Sequence, residues 1–178
     1  MSEIGDETLV LGMGGNVGGE AAVVERMRRV AEAVSGWGAV KASSVYRTAP
    51  VGPEQADFLN AALRVRLAGE PWQPREIISA VLEIEALLGR ERGREERWGP
   101  RKIDLDVLVW GRRVARYEGP PVLEVPHPRV RERRFALQPM VDVLEWETEL
   151  PGSGRRLGEL LGEAGVREQR VELTEWGI

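Results

Sequence analysis

The spacing of hydrophobic positions changes period several times along the chain, and each change marks an element. Residues 8–11 form a short apolar run that reads as a strand. Val23, Met27, Val30 and Val34 fall on one stripe of a helix that should end near Gly36. Residues 40–48 read as a strand. Leu59, Ala61, Leu63, Val65 and Leu67 then alternate with Asn60, Ala62, Arg64 and Arg66, the period of two expected of a half-buried strand. Pro74 suits a first helical turn, and Ile77, Val81, Ile84 and Leu88 form the next stripe, closed by Gly89. A further strand carries Ile103, Leu105, Val107 and Val109 on one face. The order strand, helix, strand, strand, helix, strand predicts an α+β fold of the split β-α-β kind: a mainly antiparallel sheet with two helices on one face. Pro120, Pro121, Pro126 and Pro128 punctuate a loop beyond it, and Leu157, Leu160 and Leu161 suggest a late short helix in a C-terminal extension.

Composition narrows the class. A chain of 178 residues fits one compact domain, expected to span residues 1–178. No apolar run approaches the roughly 20 residues of a membrane span. Residues 1–7 carry three acids and no apolar leader, so no secretion signal is expected there. Cysteine is absent, which rules out disulfides, thiolate metal sites and thiol nucleophiles, and makes the cytoplasm the expected location. The lone His127 cannot build a multi-histidine metal centre. A net charge of −4 argues against a general nucleic-acid surface. Of the basic residues only Lys41 and Lys102 are lysines; the rest are arginines, whose planar forks grip phosphate oxygens in pairs.

The chemistry concentrates in residues 97–111, R-W-G-P-R-K-I-D-L-D-V-L-V-W-G. On a strand, Asp104 and Asp106 point to one side while Ile103 and Leu105 point to the other. Carboxylates at i and i+2 lie roughly 6 to 7 Å apart. Their repulsion beside an apolar layer is relieved most simply by a divalent cation. Magnesium suits such a pair, because it takes one or two carboxylates and borrows further ligands from substrate phosphates. Residues 90–101 hold five arginines against three glutamates, with Gly93, Gly99 and Pro100 interrupting any helix, the make-up of a lid that orders over a charged ligand. Trp98 stands among them. The glycines from Gly12 to Gly19 read as a strand-to-helix turn with backbone near a ligand; they match neither the dinucleotide fingerprint nor the P-loop.

Residues 45–60 (V-Y-R-T-A-P-V-G-P-E-Q-A-D-F-L-N), Gly89-Arg90, residues 97–111, and V-P-H-P at 125–128 with Arg133 and Phe135 together resemble the 6-hydroxymethyl-7,8-dihydropterin pyrophosphokinase family of folate biosynthesis. The opening L-G-M-G-G-N-V-G is also similar to that family's start. The resemblance implies a ferredoxin-like fold, transfer of pyrophosphate from ATP to the pterin hydroxymethyl group with release of AMP, and two Mg²⁺ ions on Asp104 and Asp106. It implies catalytic roles for Arg90 and Arg101, and a pterin slot formed by Thr48, Val51, Phe58, Asn60, Trp98 and Phe135. Nucleotide contacts would come from Glu85, Arg90, Arg92, Arg97, His127 and Arg133. The implied partners are the two small-molecule substrates, with no nucleic acid, no membrane and a monomeric chain. Three departures fall on the nucleotide side: Leu82 replaces a glutamine, Pro128 replaces an aromatic, and the loop at residues 93–96 is one residue longer.

Two other classes share this element order. RNA-binding domains use the split β-α-β fold, and the arginine loop with Trp98 could hold a single strand, yet the middle strands lack a cluster of exposed aromatics. A small-molecule sensor is the second, since fold alone does not set chemistry.

Overall fold

Six strands of the computed structural model form one sheet whose pairings are all antiparallel. The structure describes residues 4–95 and 97–178; residues 1–3 and Glu96, on which the leader and loop-length expectations partly rest, lie outside the described residues. The elements that position the site are β1 (Thr8–Gly15), α1 (Glu20–Ser35), β2 (Gly38–Ala42), β3 (Tyr46–Thr48), β4 (Phe58–Leu67), α2 (Pro74–Leu87) and β5 (Asp104–Trp110). A small hairpin follows, β6 (Ala115–Tyr117) with β7 (Leu123–Val125), then α3 (Arg134–Leu144). A second hairpin, β8 (Glu149–Leu150) with β9 (Arg155–Arg156), leads to α4 (Leu157–Gly162), α5 (Ala164–Arg167) and an edge strand, β10 (Val171–Leu173). The sheet runs β10, β3, β4, β1, β5, with β2 pairing the far half of β4. This is the split β-α-β arrangement expected from the period changes.

The α1 stripe is wholly buried at Val23, Met27, Val30 and Val34, and packs with Leu9, Leu11, Leu63 and Val65. Ile77, Val81 and Ile84 of α2 join the same core. Pro74 opens α2, where its missing N–H costs nothing, and the Glu76 carboxylate accepts the Gln73 N–H at 2.6 Å. The opposite face carries a second core, built by Leu137, Met140, Val141 and Leu144 of α3 against Val10, Ala62 and Leu108. α3 lay within residues that periodicity left unread, and Pro139 inside it is one reason. Because α3 covers only part of this second face, the remainder stays open as a cleft.

Three local expectations are corrected. The glycine run does not turn at once: β1 continues to Gly15, paired on both sides, and the turn begins at Asn16. The predicted strand over residues 40–48 is two strands, broken where Ser43 Oγ accepts the Ala62 N–H at 2.8 Å and donates to the Ser44 carbonyl at 2.7 Å. Val109 does not share the face of Leu105. The register slips from Val10↔Val109 to Leu11↔Val107, so Leu108 is an extra residue and Val109 rotates into the α3 core.

Candidate active site

The cleft is floored by rows running across β5, β1 and β4. Asp104 lies opposite Gly14, which lies opposite Asn60; Asp106 lies opposite Gly12, which lies opposite Ala62. Directly paired residues project to the same face. The glycines therefore act as a floor with no side chains, and Asp104 and Asn60 stand roughly 10 Å apart across two strand spacings. A Cβ on Gly14 would lie 2.5 Å from Asn60 Oδ1, and one on Gly12 would lie 3.0 Å from Leu108 Cδ1. The close approach, rather than turn geometry, accounts for these two glycines.

A cavity of about 410 Å³ rises from this floor. Phe58 from β4 and Phe135 from the first turn of α3 line it, with Thr48, Val51, Asn60 and Trp98. All six residues expected to form the pterin slot thus meet in one place, although they come from four separate stretches of chain. Asn60 donates from Nδ2 to Thr48 Oγ1 at 2.7 Å, which fixes its amide with the carbonyl oxygen toward Gly14. Trp98 holds a left-handed backbone, φ 60°, and lies against Gly52, so that the 90–101 and 49–57 segments meet above the cavity. Gln55 donates to the Trp98 carbonyl at 2.7 Å and accepts from Asn16 Nδ2 at 3.0 Å. Asn16 Oδ1 accepts the Arg101 N–H at 2.9 Å. A single asparagine in the β1–α1 turn therefore ties both loops, a role that no local pattern announces.

A second cavity of about 340 Å³ adjoins the first. Its walls are largely apolar, from Ile78, Val81 and Leu82 of α2, Val107 of β5 and Leu123 of β7, with Arg92 and Pro128 at its edge. Asp106 and His127 line both cavities. Asp106 therefore stands where two bound molecules would meet, with Asp104 beside it on the first cavity.

Burial on a strand flanked by the core, reinforced by the neighbouring Asp104 charge, pushes the Asp106 carboxyl up to about 7, and Arg133 at 3.9 Å offsets this only in part. The side chains of Asp104 and Asp106 remain 39% and 37% exposed, so both are open to a ligand. Asp104 is held by Arg90, which also donates to Glu85 Oε1 at 2.5 Å and Glu95 Oε2 at 3.1 Å. Among the described residues no cluster of three or more His, Cys, Asp or Glu could enclose an ion. Two part-exposed carboxylates, one paired with Arg90 and the other 3.9 Å from Arg133, still open on the cleft and fit magnesium, which completes its shell with water and phosphate oxygens.

His127 is driven down to about 4, first by burial and then by Arg133, and is neutral near pH 7. Its Nδ1 accepts the Arg129 N–H at 3.1 Å, so the neutral ring carries its proton on Nε2 as a donor. Glu85 is 1% exposed and lines neither cavity. Its oxygens accept from Arg90, from Arg92 Nη2 at 2.7 Å and from the Leu105 N–H at 2.8 Å. It holds Arg90 and Arg92 in place. Arg92 reaches the second cavity; Arg101 and Arg133 line the first. Arg101 pairs with Glu95 at 3.3 Å, and Arg97 stacks on the Trp98 ring at 4.6 Å. Arg129 lines the first cavity and pairs with Glu132 at 3.3 Å. Gln169 also lines it, from far along the chain and with no sequence signal.

Comparison with known proteins shows the family. The 2-amino-4-hydroxy-6-hydroxymethyldihydropteridine pyrophosphokinase of Methylorubrum extorquens is 41% identical over 138 residues, 75% of this chain and 80% of that protein. The Synechocystis enzyme of the same name is 33% identical over 85% of this chain and 73% of its own length. The Bacillus subtilis one is 43% identical over 59% of each chain, so this match spans less than two thirds of that relative. A solved HPPK-DHPS chain from Plasmodium falciparum superposes with a TM-score of 0.68 over 87% of this chain and 45% of that one, at 13% identity, which bears on the fold alone. The profile of the 7,8-dihydro-6-hydroxymethylpterin-pyrophosphokinase (HPPK) family matches residues 10–145, and the chain belongs to that family.

Proposed function

We propose that the chain transfers the β,γ-pyrophosphoryl group of ATP to the hydroxymethyl oxygen of 6-hydroxymethyl-7,8-dihydropterin by direct in-line attack, in folate biosynthesis. The pterin oxygen bonds to the β-phosphorus, the bond from that phosphorus to the α,β-bridging oxygen breaks, and AMP leaves. The observation that carries this reading is the placement of Asp106 and His127 in the walls of both cavities.

In this reading the pterin lies between Phe58 and Phe135, with the Asn60 amide and Thr48 at its polar edge and Trp98 and Val51 above. Stacking on the rings and a fixed amide suit a flat, amide-rich heterocycle. The adenine side of ATP takes the second, apolar cavity, where Leu82 offers packing in place of a polar contact. Arg92, Arg97, Arg133 and the Nε2–H of His127 direct donors at the phosphates. Asp104 and Asp106 hold two magnesium ions, which when bound neutralise the triphosphate and raise the electrophilicity of its β-phosphorus. Arg90 and Arg101 turn from their carboxylate partners to the charge that develops in transfer. Glu85 keeps Arg90 and Arg92 aligned. Catalysis rests on positioning and electrostatics, since no side chain in the cleft is placed as a covalent nucleophile.

We take the chain to act as a monomer in the cytoplasm, the latter in keeping with the absence of cysteine. No described helix is long and apolar enough to cross a membrane. The test is product analysis with ATP, Mg²⁺ and the pterin. AMP and the pterin diphosphate are expected; ADP, or no pterin-dependent turnover, would overturn the assignment. Titration with a non-hydrolysable ATP analogue should show binding that depends on magnesium and is indifferent to RNA.

A further inference from the structure

The family match ends at residue 145, yet Gln169 reaches back to the wall of the first cavity. Its Oε1 accepts the Arg134 N–H at 2.8 Å, and its Nε2 donates to the Glu132 carbonyl at 2.6 Å and to the Gly165 carbonyl at 3.0 Å. Arg134 answers with its guanidinium, which donates to the carbonyls of Arg167 at 2.7 Å and Gln169 at 2.9 Å. Two of the three backbone groups that Gln169 holds belong to residues 132 and 134, on either side of Arg133. That corner delivers Arg133 toward Asp106 and, one residue into α3, Phe135 into the cavity, with the Arg133 guanidinium 5.4 Å from the Phe135 ring.

The same terminal segment braces the other wall. β10 pairs with β3, placing Val171 opposite Thr48, and Arg170 bonds Asp57 at 2.5 Å, the residue before Phe58. β3 is three residues long, with β4 on its inner side and β10 as its outer neighbour in the sheet.

We infer that Gln169 is a positioning residue for pterin binding: it fixes the 132–135 corner so that Phe135 and Arg133 face the slot opposite Phe58. This rests on the pyrophosphokinase reading of the cleft. The second cavity contains no residue from 129–136 or from the terminal segment, so the effect belongs to the pterin and not to the nucleotide base.

The experiment compares steady-state kinetics of wild type, Gln169→Ala and Gln169→Glu, with melting temperatures measured in parallel and assays run well below them. Losing side-chain hydrogen bonds of this kind corresponds to about a five-fold or larger rise in the pterin KM for Gln169→Ala, with the ATP KM rising by a clearly smaller factor, through Arg133 alone. Gln169→Glu keeps the acceptor for the Arg134 N–H and loses the donors, so its pterin KM should fall between the two; it also decides the matter if the alanine variant does not fold. A pterin KM equal to wild type, or both KM values rising alike, would overturn the proposal while wild-type AMP release leaves the assigned reaction standing. A wild-type protein that neither binds nor turns over the pterin would sink both.

Discussion

Asp106 has a carboxyl raised to about 7 by burial and by Asp104, and this has opposite consequences for folding and for metal binding. For an acid whose folded pKa lies above its ordinary value of 3.8, ionisation is harder in the folded state than in the unfolded one. The penalty is absent below about pH 4 and grows until pH passes about 7. Asp106→Asn should therefore raise the melting temperature of the metal-free protein at pH 8, and the gain should vanish near pH 4; a thermal melt series without magnesium reads this directly. The same substitution, like Asp104→Asn, should lower turnover at least about a hundred-fold by removing charge where magnesium and phosphate must sit. Near-normal turnover in both variants would remove the carboxylate pair from the mechanism. His127 gives a second test. With its pKa depressed from 6.5 to about 4, it should show no NMR titration step between pH 5 and 8 in the metal-free protein, and its contribution to stability should be lost as pH falls from about 6.5 to about 4.

Among elements, the floor strands set the width of the slot. Gly14→Ala would place a methyl 2.5 Å from Asn60 Oδ1, within a paired strand that has little freedom to shift. The variant should lose about 1 to 3 kcal/mol of stability from overpacking. Its pterin KM should rise about ten-fold as the Asn60 amide is displaced; unchanged binding of the pterin would show that the amide is not a contact. What was legible in the sequence follows the range over which each signal acts. The facing aspartates and the two helical stripes depend on neighbours a few residues away, and they stand as read; the β4 alternation holds too, but β4 is not the half-buried strand expected, because Asn60 and Ala62 on its other face are buried as well. The Leu108 bulge depends on how β5 registers against β1, the extension of β1 on partners at both edges, and the Gln169 staple on a segment that closes a loop of 37 residues back to Glu132. Such pairings leave no periodic trace. Glu85 shows the same limit within the site: the resemblance names it as a nucleotide contact, whereas its three protein partners come together only in the fold.

At the scale of the whole molecule, two loops close the site from opposite sides, and their connection depends on few bonds. Asn16 links Gln55 to Arg101, and Gln55 holds the Trp98 carbonyl, but Trp98 is 48% exposed and keeps a backbone conformation that costs a non-glycine residue energy. Few apolar groups are buried by residues 90–101, so this segment should open at low free-energy cost even though the sheet beneath it does not. A bound nucleotide would add phosphate partners for its arginines, and a bound pterin would bury Trp98 against an aromatic plane. Each substrate then stabilises the closed form by its own contacts, and both together should do so more than either alone. Trypsin, which cuts after arginine, reports the balance. Cleavage within residues 90–101 should be fast in the free protein, slower with magnesium and a non-hydrolysable ATP analogue, and slowest when the pterin is added. Asn16→Ala should accelerate cutting in all three states, because it removes the side-chain bonds to both loops and leaves Arg101 held only by the backbone N–H groups of Asn16 and Val17. Equal cleavage rates with and without ligands would mean that the arginine segment is a fixed wall of the cleft, with closure contributing nothing to binding.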